Sequence, residues 1–145
     1  HAGAEFMIPF GKARIARPGE SLTVIAYGAL VHKAELAAAE IEREEPGCSV
    51  EVIDLRSLSP YDWDAIKTSV EKTNRVIVAH EDTLSWGYGA EIAARIADEL
   101  FHRLDAPVGR VAAKDVWVAY NPILENAILP QVGDLTAEMR RLLTY

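Results

Sequence analysis

Short apolar runs alternate with amphipathic stretches along this 145-residue chain, and that alternation restricts its fold more than any single motif. Leu22 to Tyr27 is apolar apart from Thr23 and stops at Gly28, the signature of a strand buried on both faces. Behind it Leu30, Ala34, Ala37, Ala38 and Ile41 recur at helical spacing, with Lys33, Glu35, Glu40, Glu42 and Arg43 on the other face, until Pro46-Gly47. The unit then repeats. Val50 to Leu55 reads as a strand, and Trp63, Ile66 and Val70 mark a helix running to about Thr73, with Ser59 or Asp62 as its N-cap.

A third unit pairs the strand Val76 to Ala79 with a wide helical stripe through Ile92, Ala93, Ile96, Ala97, Leu100, Phe101 and Leu104. Val108 to Ala113 is a last strand, and Asp134 is placed to cap a final helix with Leu135, Met139 and Leu142 inward. Ahead of these, Gly11 to Arg17 alternates polar and apolar residues and ends in Pro18-Gly19, which suits an edge strand. The expectation is one α/β domain, a mostly parallel sheet with helices on both faces and right-handed crossovers. Sites in such sheets lie at the carboxyl ends of the strands.

Composition narrows the function classes. A formal charge of −7 repels phosphate backbones and favours basic partners, which argues against nucleic-acid binding. No apolar run approaches the roughly 18 residues of a membrane helix. The single cysteine, Cys48, permits no internal disulfide and fits a reducing compartment, with the cytoplasm as the expected location. Residues 1–7 begin His1-Ala2-Gly3-Ala4-Glu5-Phe6, lack the layout of a signal peptide and read as the remainder of an expression tag, leaving 8–145 as the domain.

Among the strand ends, His80-Glu81-Asp82 has the most chemical potential, because an imidazole beside carboxylates can serve as a general base or complete a metal site. The competing reading is a polar strand end whose side chains hold the following loop. Gly87, Tyr88 and Gly89 open a helix, where free amides and the helix dipole can hold an anion, although glycines needed only for a tight turn explain them equally well. The dinucleotide fingerprint is excluded by Ile92 at its third glycine position, and neither a nucleophile elbow nor an H-E-x-x-H helix occurs. Asp54 and Arg56 can brace their loop. The stretch Trp117 to Leu124, with Tyr120 and Asn121, reads either as packing over the sheet edge or as a protein contact surface.

In order along the chain, Pro9-Phe10-Gly11-Lys12-Ala13-Arg14, Thr23 to Gly28 with Val31-His32, and Glu51-Val52-Ile53-Asp54-Leu55-Arg56-Ser57-Leu58-Ser59-Pro60 form a recognisable series. Val78-Ala79-His80-Glu81, Gly87 to Ile92, Ala106-Pro107-Val108, Leu124-Glu125 and Leu129-Pro130 continue it. From Ile8 to Tyr145 the chain resembles the C-terminal domain of the beta subunit of thiamine-diphosphate-dependent 2-oxo acid dehydrogenases, within the transketolase superfamily. The resemblance implies a three-layer αβα sandwich whose five-stranded, mostly parallel sheet has one antiparallel edge strand.

It further implies a fragment of a longer subunit, or of a fused alpha-beta chain, in a pyruvate or branched-chain enzyme that passes an acyl group to lipoyl. In that family the catalytic histidine lies in the N-terminal domain of the subunit, so no catalytic, cofactor or metal residue is assigned here. Thiamine diphosphate and Mg would belong to the parent enzyme, and the isolated domain would be inactive. The implied partners are a second beta subunit, the alpha subunit, and the basic subunit-binding domain of the dihydrolipoyl acyltransferase. Tyr120, Asn121 and Tyr145 are the candidate docking residues. A cytoplasmic location becomes the mitochondrial matrix if the source is eukaryotic. The alternative is a regulatory module binding a small anion or nucleotide at the Gly87 to Glu91 helix start.

Overall fold

The structure is a computed structural model that describes Gly3 and residues 6–145. Residues 1, 2, 4 and 5 of the leading segment lie outside the described residues. Five strands, β1 (Arg14–Arg17), β2 (Leu22–Ala26), β3 (Val50–Asp54), β4 (Val76–Thr83) and β5 (Gly109–Ala113), form one sheet in the order β1-β3-β2-β4-β5. β1 runs antiparallel to β3, with Arg14 opposite Asp54, and every other pairing is parallel. The helices are α1 (Ala29–Glu44), α2 (Trp63–Thr73), α3 (Tyr88–Glu99), α4 (Pro122–Ile128) and α5 (Val132–Leu143), with a 3-10 turn at Phe101–Arg103.

Strand periodicity builds the three layers. Along β2, Leu22, Val24 and Ala26 face one side, where Leu30, Ala34 and Ile41 of α1 and Leu135, Met139 and Leu142 of α5 close over them. Ile25 faces the other side with Ile53 and Val78, under Ile66 and Val70 of α2 and Ile92 and Ile96 of α3. All five β2 residues are buried, as expected for a strand covered on both faces. Each such aliphatic side chain contributes about 1.5–3 kcal/mol by leaving water. Thr23, the polar residue in this run, is buried because its hydroxyl lies 2.6 Å from Ser69 Oγ and 2.7 Å from Thr73 Oγ1, both on α2.

The elements differ from the sequence reading in places. β1 is four residues long because the amides before it are taken by loop side chains, Gly11 N donating to Ser57 Oγ at 3.1 Å and Ala13 N to Asp62 Oδ2 at 3.1 Å. Asp62 caps α2, its Oδ1 accepting from Ala65 N at 3.2 Å. α3 ends at Glu99, and the 3-10 turn swings Phe101 into solvent, so the buried stripe is Ile92, Ile96 and Leu100. Asp134 sits at the third position of α5 and accepts from Gln131 N at 2.8 Å, Gln131 being the cap. α4 was not expected; Asn121 caps it, with Pro122 at its first turn. Among the described residues, no helix is long and apolar enough to cross a membrane.

Candidate functional site

β4 extends to Thr83, so His80, Glu81 and Asp82 lie within the strand. The register against β5 shifts between Ala79 and Thr83, a bulge that no local pattern reveals. The three side chains diverge. His80 is 1% exposed, stacked on Tyr27 with ring centroids 6.0 Å apart, and its Nδ1 lies 3.1 Å from the Asp82 carbonyl. A carbonyl only accepts, so the neutral ring carries its proton on Nδ1 and leaves Nε2 as an acceptor. Burial pushes the imidazole below its ordinary range and the Tyr27 phenol up to about 12, while the Tyr88 phenol is raised for the same reason.

Glu81 points instead toward α1, 3.8 Å from Lys33 Nζ, which donates to the Pro130 carbonyl at 2.7 Å. Asp82 turns toward α3: Oδ1 accepts from Thr83 N at 2.8 Å and Oδ2 from Tyr88 N at 3.1 Å. An internal carboxylate therefore sits at the α3 N-terminus and neutralises part of its dipole. Both nearby glycines face His80. A Cβ on Gly89 would lie 2.2 Å from Nε2, and one on Gly87 would lie 2.0 Å from the Thr83 carbonyl. Close approach of α3 to β4 is what these glycines permit.

A second region follows the same strand ends. Thr83, Ser85, Trp86, Asp115, Val116 and Trp117 line a groove of about 480 Å³. Asp115 clamps its near wall, accepting from Ser85 N at 2.8 Å and Ser85 Oγ at 2.6 Å. Those bonds hold its carboxyl below the usual range. Thr83 Oγ1 donates to the Ser85 carbonyl at 2.7 Å, and Leu84 N to the Ala113 carbonyl at 2.9 Å. On this fixed loop Trp86 has φ 65°, a left-handed conformation disfavoured for a bulky residue, and its side chain is 99% exposed. Trp117 is 96% exposed, and Tyr120 is fully exposed.

The stretch 117–124 thus does not pack over the sheet edge. Of the residues singled out for docking, Tyr120 projects from it and Asn121 spends its side chain capping α4, Oδ1 accepting from Ile123 N at 2.9 Å. Tyr145 is at the other end of β5, in a groove with Phe101, Leu104 and Pro107. Asp54 pairs with Arg14, and Arg56 donates to the Ala13 carbonyl, so their loop is braced against the β1 entry rather than internally. Sequence reasoning missed the Ser85–Asp115 clamp, since the two are 30 positions apart and nothing local marks either. Among the described residues, no three His, Cys, Asp or Glu side chains converge to hold a metal ion.

A model of the C-terminal domain of transketolase matches residues 11–135. The chain belongs to the transketolase C-terminal domain family. The fold agrees: the domain superimposes with a TM-score of 0.81 and 26% identity on a split-gene transketolase solved as an inactive beta4 tetramer, covering 99% of this chain and 45% of that one. A 2-oxoglutarate:ferredoxin oxidoreductase from Magnetococcus marinus shares the fold alone, at TM-score 0.56 and 8% identity over 91% of this chain and 19% of that one.

By sequence the domain is 40% identical over 141 residues to the pyruvate dehydrogenase E1 component subunit beta of Staphylococcus epidermidis, covering 97% of this chain and 42% of that subunit. It is 44% identical over 138 residues to the mitochondrial E1 component subunit beta-2 of Oryza sativa subsp. japonica, covering 95% and 36%. The chain thus spans about two fifths of the curated relatives it matches.

Proposed function

We propose that the chain is the assembly and docking domain of the beta subunit of a 2-oxo acid dehydrogenase. The observation that carries this reading is the 40–44% identity to pyruvate dehydrogenase E1 beta subunits over nearly the whole chain. The intact enzyme decarboxylates a 2-oxo acid, pyruvate or a branched-chain acid, on thiamine diphosphate and passes the acyl group to lipoyl. We place thiamine diphosphate, Mg and the catalytic histidine in the rest of the enzyme. The divergence of His80, Glu81 and Asp82, each engaged with a different element, supports that division. The isolated domain is accordingly expected to be inactive.

Its own task is contact: with a second beta subunit, with the alpha subunit, and with the basic subunit-binding domain of the acyltransferase. Self-association is supported by the beta4 tetramer of the split-gene transketolase. Docking of a basic partner is supported by the formal charge of −7, and an exposed Tyr145 beside Phe101 offers that partner an apolar contact.

The test is calorimetric titration with the acyltransferase subunit-binding domain at low and high salt. Saturable binding that weakens with salt, and weakens again when Tyr145 is removed, is expected. A flat trace with folded protein overturns the docking role.

A further inference from the structure

β4 loses its ladder partners where its charged residues begin. Its pairing with β2 ends at Ala26 opposite Ala79, and against β5 no residue is in register between Ala79 and Thr83. His80, Glu81 and Asp82 therefore depend on side-chain contacts for their placement. The start of α3 rests on this stretch. Its cap, Gly87, offers no side-chain hydrogen bond, so the turn is fastened from outside: Asp82 Oδ2 accepts from Tyr88 N at 3.1 Å, and the Tyr88 hydroxyl donates to the Leu58 carbonyl. The third fastening is the His80 ring. Cβ positions built on Gly87 and Gly89 fall 2.9 Å from its Cε1 and 2.2 Å from its Nε2, so the edge that carries Nε2 lies under the turn.

We infer that His80 is an acid-sensitive latch on the first turn of α3: the neutral ring seats Gly87 to Glu91, and a proton on Nε2 releases them. With Nδ1–H given to the Asp82 carbonyl, Nε2 is the nitrogen that takes the next proton, and among the described residues the ring makes no other hydrogen bond. The new N–H and its charge then press on two glycine backbones at a helix N-terminus, whose dipole repels a cation.

The ionisable groups around the ring do not cancel that cost. Tyr27 is stacked on it and Tyr88 meets the edge of Tyr27; both phenols are raised by burial and stay neutral throughout the acid range. From β4 the Asp82 carboxylate attracts the proton, but it is already divided between Thr83 N and Tyr88 N. From β5 Arg110, which donates to the Leu84 carbonyl, repels it. Glu81 faces Lys33 on α1, and Glu91 is exposed. Burial outweighs Asp82 and holds the imidazole below its ordinary range.

The same proton weakens a second fastening, because an imidazolium competes with Tyr88 N for the Asp82 carboxylate. Ser85 stays clamped to Asp115 meanwhile, which confines the release to the residues after it, with Trp86, at φ 65°, as the pivot.

The test is amide hydrogen exchange of this chain, read by NMR at about pH 7.5 and about pH 5.5, without urea and in low urea. With rates corrected for their intrinsic pH dependence, protection of Tyr88 and Ala90 is expected to fall by about three- to tenfold, tenfold being the ceiling for one proton with a free-state pKa of about 6.5. At both pH values it should lie below the protection of Val24 and Val52 and stay constant in low urea, as a local opening does. His80→Gln, which offers a donor to the Asp82 carbonyl but takes no proton, should show no such fall.

Protection that changes by less than about twofold overturns the inference, as does an equal fall in His80→Gln or a urea dependence parallel to that of β2. Should His80→Gln not fold, the wild type decides. Its His80 ring resonances must titrate below about pH 6.5, and a midpoint at or above that value overturns the latch.

Discussion

Gly89 has no room for a methyl group. A Cβ there would fall 2.2 Å from two atoms of the His80 ring and 3.1 Å from Val78 Cγ1, and the ring is wedged between Tyr27 and α3. Gly89→Ala is therefore expected to lower unfolding free energy by about 1–3 kcal/mol, as overpacking does, measured by urea denaturation. The same ring makes stability depend on pH. His80 is held neutral, so its folded pKa lies below its unfolded value of about 6.5. The unfolded state then binds more protons, and stability is complete above pH 6.5 and declines as pH falls toward the folded value. His80→Gln should flatten that decline relative to wild type. Tyr27 works in the other direction: with its folded pKa raised from 10.0 to about 12, its contribution is complete below pH 10 and is lost as pH rises toward 12. Tyr27→Phe, followed by denaturation between those limits, isolates it.

At the scale of elements, Asp62 joins two of them. One carboxylate oxygen caps α2 through Ala65 N, and the other holds Ala13 N at the entry to β1. Asp62→Ala should cost about 1–2 kcal/mol, while Asp62→Asn, which keeps an acceptor at the cap, should recover most of it; thermal or urea unfolding reads both. Asp62 was one of the two alternatives, with Ser59, for the α2 cap, because a short acceptor before an apolar stripe announces a helix start. β2, β3, α1, α2 and the edge strand β1 were legible for a similar reason, each carrying its own period or turn residues, whereas the antiparallel direction of β1 came only from the family resemblance. What escaped were features set by distant partners. The β4 bulge depends on β5, and the Ser85–Asp115 clamp joins residues with no common pattern. α4 is seven residues long, too short to display a stripe. Exposure of Trp117 and Tyr120 was not decidable either, since an aromatic run looks the same whether it enters a core or an interface.

At the scale of the whole molecule, the sheet keeps two surfaces apart. The tryptophan groove opens at the carboxyl end of β5 and the Tyr145 groove at its amino end, and β5 is five residues long, about 17 Å of extended chain. The grooves share no lining residue. Sites that far apart with no common partner behave as separate terms in a free-energy sum. The loss in acyltransferase affinity on removing Tyr145 should then be the same in wild type and in Trp86→Ala, within about 0.5 kcal/mol, when the double-mutant cycle is measured by calorimetry. Such additivity would make the domain a rigid spacer that transmits position but no signal: what is held at one end of the sheet neither helps nor hinders what binds at the other.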